Sequence, residues 1–192
     1  MLTFERSAPR MKLQIYFFSD LYPRIMDMDQ KLRELMAYFP EAELPFTLQE
    51  GSEHEFGLNA EGIPAVLLDE MIYPHLPFEV DEFTEILPGV HWKTSEGCWA
   101  LVFWAARLMK YSFVVYSYDP DGKWKGVAEV AGFTAFGEDI IRRMARVDDP
   151  DTLYVVEGSQ SHRDQDVRPG NSRKWEIQIL SNGELAELML ED

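Results

Sequence analysis

The segment from Gly97 to Asp119, GCWALVFWAARLMKYSFVVYSYD, carries the densest apolar and aromatic run in the chain, and the rest of the sequence has to pack around it. Two periods meet inside it. From Cys98 to Met109, Leu101, Trp104, Ala105 and Leu108 fall on an i, i+3, i+4, i+7 stripe, and Arg107 and Lys110 stand where cations complement a helix dipole; this predicts a buried helix. From Ser112 to Tyr118 the residues become β-branched and aromatic, which predicts a strand, and Asp119-Pro120-Asp121-Gly122 supplies turn chemistry after it. A membrane span needs about 20 uninterrupted apolar residues and would hold Arg107 and Lys110 at mid-span, so the segment reads as core.

Around this centre the predicted elements alternate irregularly. Lys12 to Phe18 reads as a first strand, because its apolar run is too short for a secretory leader and ends at Asp20, and residues 1–11 read as a flexible tail. Asp27 to Phe39 places Met28, Leu32, Leu35, Met36 and Phe39 on one helical stripe and stops at Pro40. Phe46 to Leu48, His54 to Leu58 and Ile63 to Leu68 read as strands, the last two joined by a turn at Asn59-Ala60-Glu61-Gly62. The stretch with Pro74, Pro77 and Pro88 leaves room for one short helix from Glu79 to Pro88.

Beyond the centre, Lys123 to Val130 is expected to pair back antiparallel. Gly137 to Val147 reads as a helix with Ile140, Ile141, Met144 and Val147 inward, and Leu153 to Val156 as a strand. Residues 158–174, polar and glycine-containing, read as a mobile loop. Asn182-Gly183 between Trp175 to Leu180 and Leu185 to Leu190 signals a C-terminal β-hairpin. These elements predict one α+β domain over residues 1–192, with a mixed, mostly antiparallel sheet and three to four helices.

Charge narrows the function. Across 192 residues there are 34 acidic and 18 basic side chains, a formal charge of −16, with 16 acidic against three basic residues between positions 27 and 96. Nucleic acids and anionic membranes both require a basic surface, so neither is an expected partner, whereas a basic protein is. Glu50, Glu53, Glu55, Glu61, Asp69, Glu70, Glu79, Asp81, Glu82 and Glu85 are the candidate partner-binding residues. A solvated acidic surface kept for solubility would give the same bias. Cys98 is the single cysteine, which suits a reducing, cytoplasmic setting.

No chemistry-bearing motif completes itself. Asp119 and Asp121 begin like a calcium loop, but Lys123 and Val130 occupy places that need oxygen ligands. Glu53-His54-Glu55, His75 and His91 lack metal-ligand spacing, and neither a cofactor nor a metal is expected. Cys98 with His91 or His162 as base is a possible thiol site, though a cysteine between Gly97 and Trp99 reads first as packing. Gly158-Ser159-Gln160-Ser161-His162 is not a nucleophile elbow. Trp92, Trp99, Trp104, Trp124 and Trp175 are spread as core tryptophans are, with one or two available as interface anchors.

A compact, acidic, cysteine-poor α+β domain without catalytic signature resembles the immunity proteins that bacteria keep beside polymorphic toxins. The resemblance lies in overall character, carried by the acidic 27–96 region. It implies a non-enzymatic inhibitor that binds a cognate basic toxin and occludes its active site or substrate groove. The alternative is a small hydrolase using acidic residues with His54, His75 or Cys98.

Overall fold

The core segment forms two antiparallel strands. In the computed structural model, which describes residues 28–58, 61–137, 139–161 and 172–190, β3 (Trp99–Arg107) runs straight into β4 (Lys110–Tyr118) through a two-residue turn at Leu108 and Met109. The helix predicted over Cys98 to Met109 is therefore absent. Its apparent helical stripe arises because both faces of β3 are buried: Ala100 and Val102 enter one core cluster, Leu101, Phe103 and Ala105 the other. A strand covered on both sides is apolar at successive positions, and periodicity cannot separate it from a buried helix. The turn gave no warning either, since Met109 takes φ 60 where glycine or asparagine is usual.

From these strands the sheet grows in sequence order. β2 (Glu85–Lys93), β3, β4, β5 (Trp124–Phe136), β6 (Asp139–Asp149), β7 (Thr152–Ser161), β8 (Ser172–Ile179) and β9 (Leu185–Met189) pair consecutively and antiparallel, and β1 (Phe46–Leu48) pairs antiparallel with β6. The result is one domain built on a largely antiparallel sheet of nine strands with few helices. β5 pairs with β6 only over Gly132–Phe136, and β6 then takes β1 as its partner at Ala145–Val147. The sheet opens at that exchange and folds back on itself, so that inward residues of β3, β4 and β5 meet those of β6, β7 and β8.

A second layer covers the other face of β3 and β4. α1 (Met28–Met36) contributes Leu32 and Leu35, the turn after it contributes Phe39, and α3 (Ala65–Leu67) with its π-helical continuation Leu68–Ile72 contributes Leu67, Met71 and Ile72. The Tyr116 hydroxyl donates to the Ile72 carbonyl at 2.8 Å and ties this layer to the sheet. α2 (Ser52–Gly57) packs Phe56 edge-on against Phe113 at 5.7 Å, closing the side of the inter-sheet core next to β2.

Several other expectations are corrected. Gly137 to Val147 is not a helix: β6 alternates buried Ala145 and Val147 with exposed Arg142, Met144, Arg146 and Asp148, and the adjacent Ile140 and Ile141 had imitated a helical stripe. His54 to Leu58 is not a strand but lies in α2 and just beyond it, started by Gly51 at φ 97, and Ile63 to Leu68 leads into α3 once Pro64 has set the chain direction. The Glu79 to Pro88 helix is a loop followed by β2, which carries Pro88 at an irregular register position, where the missing N–H does least harm. Of the loop expected over residues 158–174, the first part continues β7 and the last part begins β8. Residues 162–171, the strand expected at Lys12 to Phe18 and the tail at residues 1–11 lie outside the described residues.

The point where β5 and β6 part demands a glycine. Gly132 has φ 140, and a Cβ there would stand 2.3 Å from the Tyr111 carbonyl oxygen and 2.7 Å from Ser112 Cα, both backbone atoms that cannot yield. Gly132→Ala is expected to lower the unfolding free energy in urea by at least about 1–3 kcal/mol from backbone strain alone. A change within about 0.5 kcal/mol, the usual range for an innocuous surface substitution, would refute this account of the bend.

Candidate functional site

The ten candidate acids are divided by the fold. Glu50, Glu53 and Glu55 lie at α2, on the inter-sheet side of β2; Asp69 and Glu70 lie on the π-helical turn, on the opposite face of the same sheet; Glu61 precedes α3. Three of these are engaged within the chain. Glu50 pairs with Arg142 at 3.2 Å, Glu70 with Lys31 at 2.7 Å, and Glu53 accepts the Gly51 N–H at 2.9 Å. Glu79, Asp81 and Glu82 lie on the loop that enters β2, and Glu85 is the first residue of that strand.

That loop is shaped by its own side chains. The Asp81 carboxylate accepts from Phe83 N–H at 3.0 Å and from the Thr84 hydroxyl at 2.8 Å, while Asp81 N–H donates to Thr84 Oγ1 at 2.9 Å. The Thr84 N–H closes the turn on the Asp81 carbonyl at 3.1 Å. The consequence is an outward Phe83, 58% exposed, beside exposed Val80 and among Glu79, Glu82 and Glu85, none of which has an ion-pair partner among the described residues. Phe83 did not stand out in the sequence because its neighbours suggested a helix. Its signal was an aromatic side chain inside an acidic run with no apolar period to bury it.

Both ends of the loop are fixed to the sheet. Glu85 stands opposite Ala106 in the β2–β3 register, and the Phe78 ring lies under the Arg107 guanidinium at 3.5 Å. Arg107 is held in turn by Ser112 Oγ at 2.9 Å and Glu129 at 3.3 Å, and Lys110 reaches Glu129 at 2.6 Å. Burial alone would raise the Glu129 carboxyl, but Lys110 and Arg107 outweigh it and hold the group below the usual glutamate range. This cluster escaped the sequence reading because Arg107 and Lys110 meet Glu129 only through strand register.

The residues proposed for hydrolysis are not brought together. His54 projects from α2 with its side chain 86% exposed, 3.7 Å from Glu53. His75 stacks on Trp124 at 4.3 Å, and burial lowers its pKa, leaving it neutral at pH 7. Cys98 is fully buried at the start of the β3 segment, where its thiol donates to the Ser181 carbonyl at 3.4 Å. Burial pushes that thiol up, Asp119, Asp151 and Glu96 push the same way, and only the Thr94 contact opposes them. A thiol so placed is a poor nucleophile. His91 is engaged by the Phe39 carbonyl at 2.6 Å, and His162 lies outside the described residues. Among the described residues no three His, Cys, Asp or Glu side chains converge to hold a metal.

Asp119 is a turn former. Its carboxylate accepts from the N–H groups of Asp121 and Lys123 at 3.0 and 2.9 Å and pairs with Lys125 at 3.1 Å. Burial pushes its pKa up, and these partners bring it below the ordinary aspartate value. The tryptophans are structural too: Trp92 donates to the Pro150 carbonyl at 3.0 Å, Trp99 lies under Lys93 and Trp175 under Arg143, and none of the five is exposed. No helix among the described residues is long and apolar enough to cross a membrane. Compared with known proteins, the chain matches no family model, no curated protein and no solved structure.

Two measurements follow from this geometry. Glu129→Gln removes the shared anion of Lys110 and Arg107 and is expected to cost about 1.5–3 kcal/mol at neutral pH. Because the folded pKa lies below the unfolded one, the contribution is full above the ordinary glutamate pKa and is lost as pH falls through that value toward the folded one, so wild type and variant should converge in acid. Equal destabilisation at all pH values would contradict the ionic account. Cys98 should react with a disulfide reagent such as Ellman's only as fast as the native chain opens, so that added urea accelerates labelling. Rapid, urea-independent labelling would restore Cys98 as a candidate nucleophile.

Proposed function

We propose that this chain is an acidic protein-binding inhibitor of the immunity-protein kind, a cytoplasmic, non-enzymatic α+β domain that binds a cognate basic toxin and occludes its active site or substrate groove. The observation that carries the reading is the Glu79–Glu85 loop, where a locked turn presents one exposed aromatic ring inside a group of unpaired carboxylates. An aromatic side chain is a common anchor of an interface, and polar groups around it suit the solvent-accessible rim. The turn is already formed, so little conformational entropy is lost on binding. The carboxylates steer a basic partner toward the anchor and raise the association rate. Glu50, Glu53, Glu55, Glu61, Asp69 and Glu70 extend the field without sharing the contact.

Affinity purification from the native cell, washed at low and then moderate salt, is expected to retain one basic protein in stoichiometric amount, and that protein should show toxic activity which the chain suppresses. Phe83→Ala should weaken the complex by about 2 kcal/mol or more, chiefly through faster dissociation, and Glu82→Lys should slow association and flatten its salt dependence. Retention of no basic protein at either salt, or of one whose binding ignores both substitutions, would overturn the proposal.

A further inference from the structure

The outward face of β6, β7, β8 and β9 is composed unlike the rest of the molecule. Strand register aligns Met144, Val156 and Lys174 in one row and Arg146, Tyr154, Glu176 and Leu188 in the next. Met144, Tyr154, Val156 and Leu188 are all exposed large apolar side chains, and Leu190, whose N–H donates to the Lys174 carbonyl, adds a fifth at the margin. Arg142 is paired with Glu50 at 3.2 Å and Arg146 with Asp148 at 2.6 Å, and Glu176 accepts from Gln178 at 2.6 Å, so with Lys174 the face carries three cations and three carboxylates, close to neutral in a chain of formal charge −16. The opposite face of these strands is the inter-sheet core, so this apolar row is not core side chains showing at an edge.

We infer that this face binds the same face of a second copy of the chain, about a two-fold axis running along β7. Such an axis exchanges β6 with β8 and leaves the rows unchanged. It sets Arg146 against Glu176 of the second copy, Tyr154 against Tyr154, Val156 against Val156, and Met144 against the aliphatic stem of Lys174. The order of one row, cation, aromatic ring, carboxylate, is what makes it complementary to itself, as an isologous contact requires. With Arg142 balanced by Glu50 and Arg146 by Asp148, the face offers no net charge by which a strongly basic or a strongly acidic partner would be selected. Two sheets packed this way stand about 10 Å apart with strands nearly aligned.

The contact is weak and reversible. The overlap about that axis covers the three strands β6, β7 and β8, about 4.8 Å apart, over roughly seven residues of about 3.3 Å each, or about 330 Å² per copy. Both copies together stay well below the about 1,200 Å² at which stable interfaces begin, as a weak and transient contact does. Its salt dependence has an unusual sign. Two molecules each carrying −16 repel at long range, and screening removes that repulsion more effectively than it weakens ion pairs inside a closed contact. Self-association therefore strengthens with salt, whereas capture of a basic partner weakens.

Sedimentation velocity on the full chain, from micromolar to submillimolar concentration in dilute and in half-molar salt, tests this without any knowledge of a toxin. A monomer–dimer equilibrium is expected, with the dimer favoured at high salt. Tyr154→Asp should abolish it, Arg146→Glu should weaken it about tenfold or more through like-charge apposition, and Glu176→Arg in the same chain should restore it. Phe83→Ala should leave it unchanged, which separates this surface from the acidic loop. Unaltered far- and near-ultraviolet circular dichroism in each variant shows that folding is intact. A monomer at every concentration and salt, a dimer indifferent to Tyr154→Asp, a failed rescue by Glu176→Arg, or a dimer lost in Phe83→Ala would each overturn the two-fold contact.

Discussion

Burial of β3 and β4 on both faces is the constraint from which the remaining architecture follows. Their inward side chains, Ala100, Val102, Phe113 and Val115, need the returning half of the sheet to cover them; Leu101, Phe103, Val114 and Tyr116 need a separate layer on the other side. At roughly 1.5–3 kcal/mol for each large apolar side chain removed from water, neither face can be left open. The meander of β5 to β9 meets the first demand by folding over, and α1 with the α3 region meets the second. Gly132 and the transfer of β6 from β5 to β1 are the local means of that fold-over: a sheet that kept full pairing through β5 and β6 would carry its second half away from the first.

The same central strands organise the surface. Arg107 ends β3 and Lys110 begins β4, so one tight turn places two cations beside Glu129 on β5. The cluster then holds Phe78 beneath Arg107, and Phe78 sets where the acidic loop begins beside the sheet. Half-buried charges contribute little to stability unless their hydrogen bonds are well satisfied, and a network of this kind serves better to fix a position. What it fixes here is the start of a turn whose far end is already pinned by the pairing of Glu85 with Ala106. The loop can be exposed and still have one shape.

How far the sequence spoke depended on how many sides of each element face the core. α1, one-sided, announced itself through Leu32, Leu35 and Phe39, and β4, β5 and β7 were recognisable from β-branched runs and the turn at Asp119. β3 was read as a helix because two-sided burial erased its period and because Leu108 and Met109 turn the chain without turn residues. β6 was misread for a different reason: Ile140 and Ile141 lie at the paired, turn end of the β5–β6 hairpin, both half-buried, so the alternation that is clear from Arg142 to Asp148 is blurred at its start. The acids were legible as residues and not as a site. Only the loop geometry separates Glu82 and its neighbours from Glu50 and Glu70, whose charges are engaged within the chain.

The uneven charge of the chain takes on a spatial meaning in this fold. Segments before β3 carry most of the excess acid and lie in the helical layer, in α2 and in the loop into β2, whereas the β6–β9 half interleaves arginine with carboxylate. Uniform acid would make every approach between copies repulsive and every basic protein equally welcome at any side. Segregation instead gives the molecule one region whose long-range field selects for sign and another whose short-range pattern selects for shape, because a near-neutral apolar face exerts little pull beyond a Debye length of about 8 Å. Exposed Phe83 and exposed Tyr154 thus sit in different electrostatic settings, one acidic and one near-neutral. On the two proposals, an aromatic side chain in the first would be reached by steering and in the second only by contact, so the surfaces would not compete for the same class of partner.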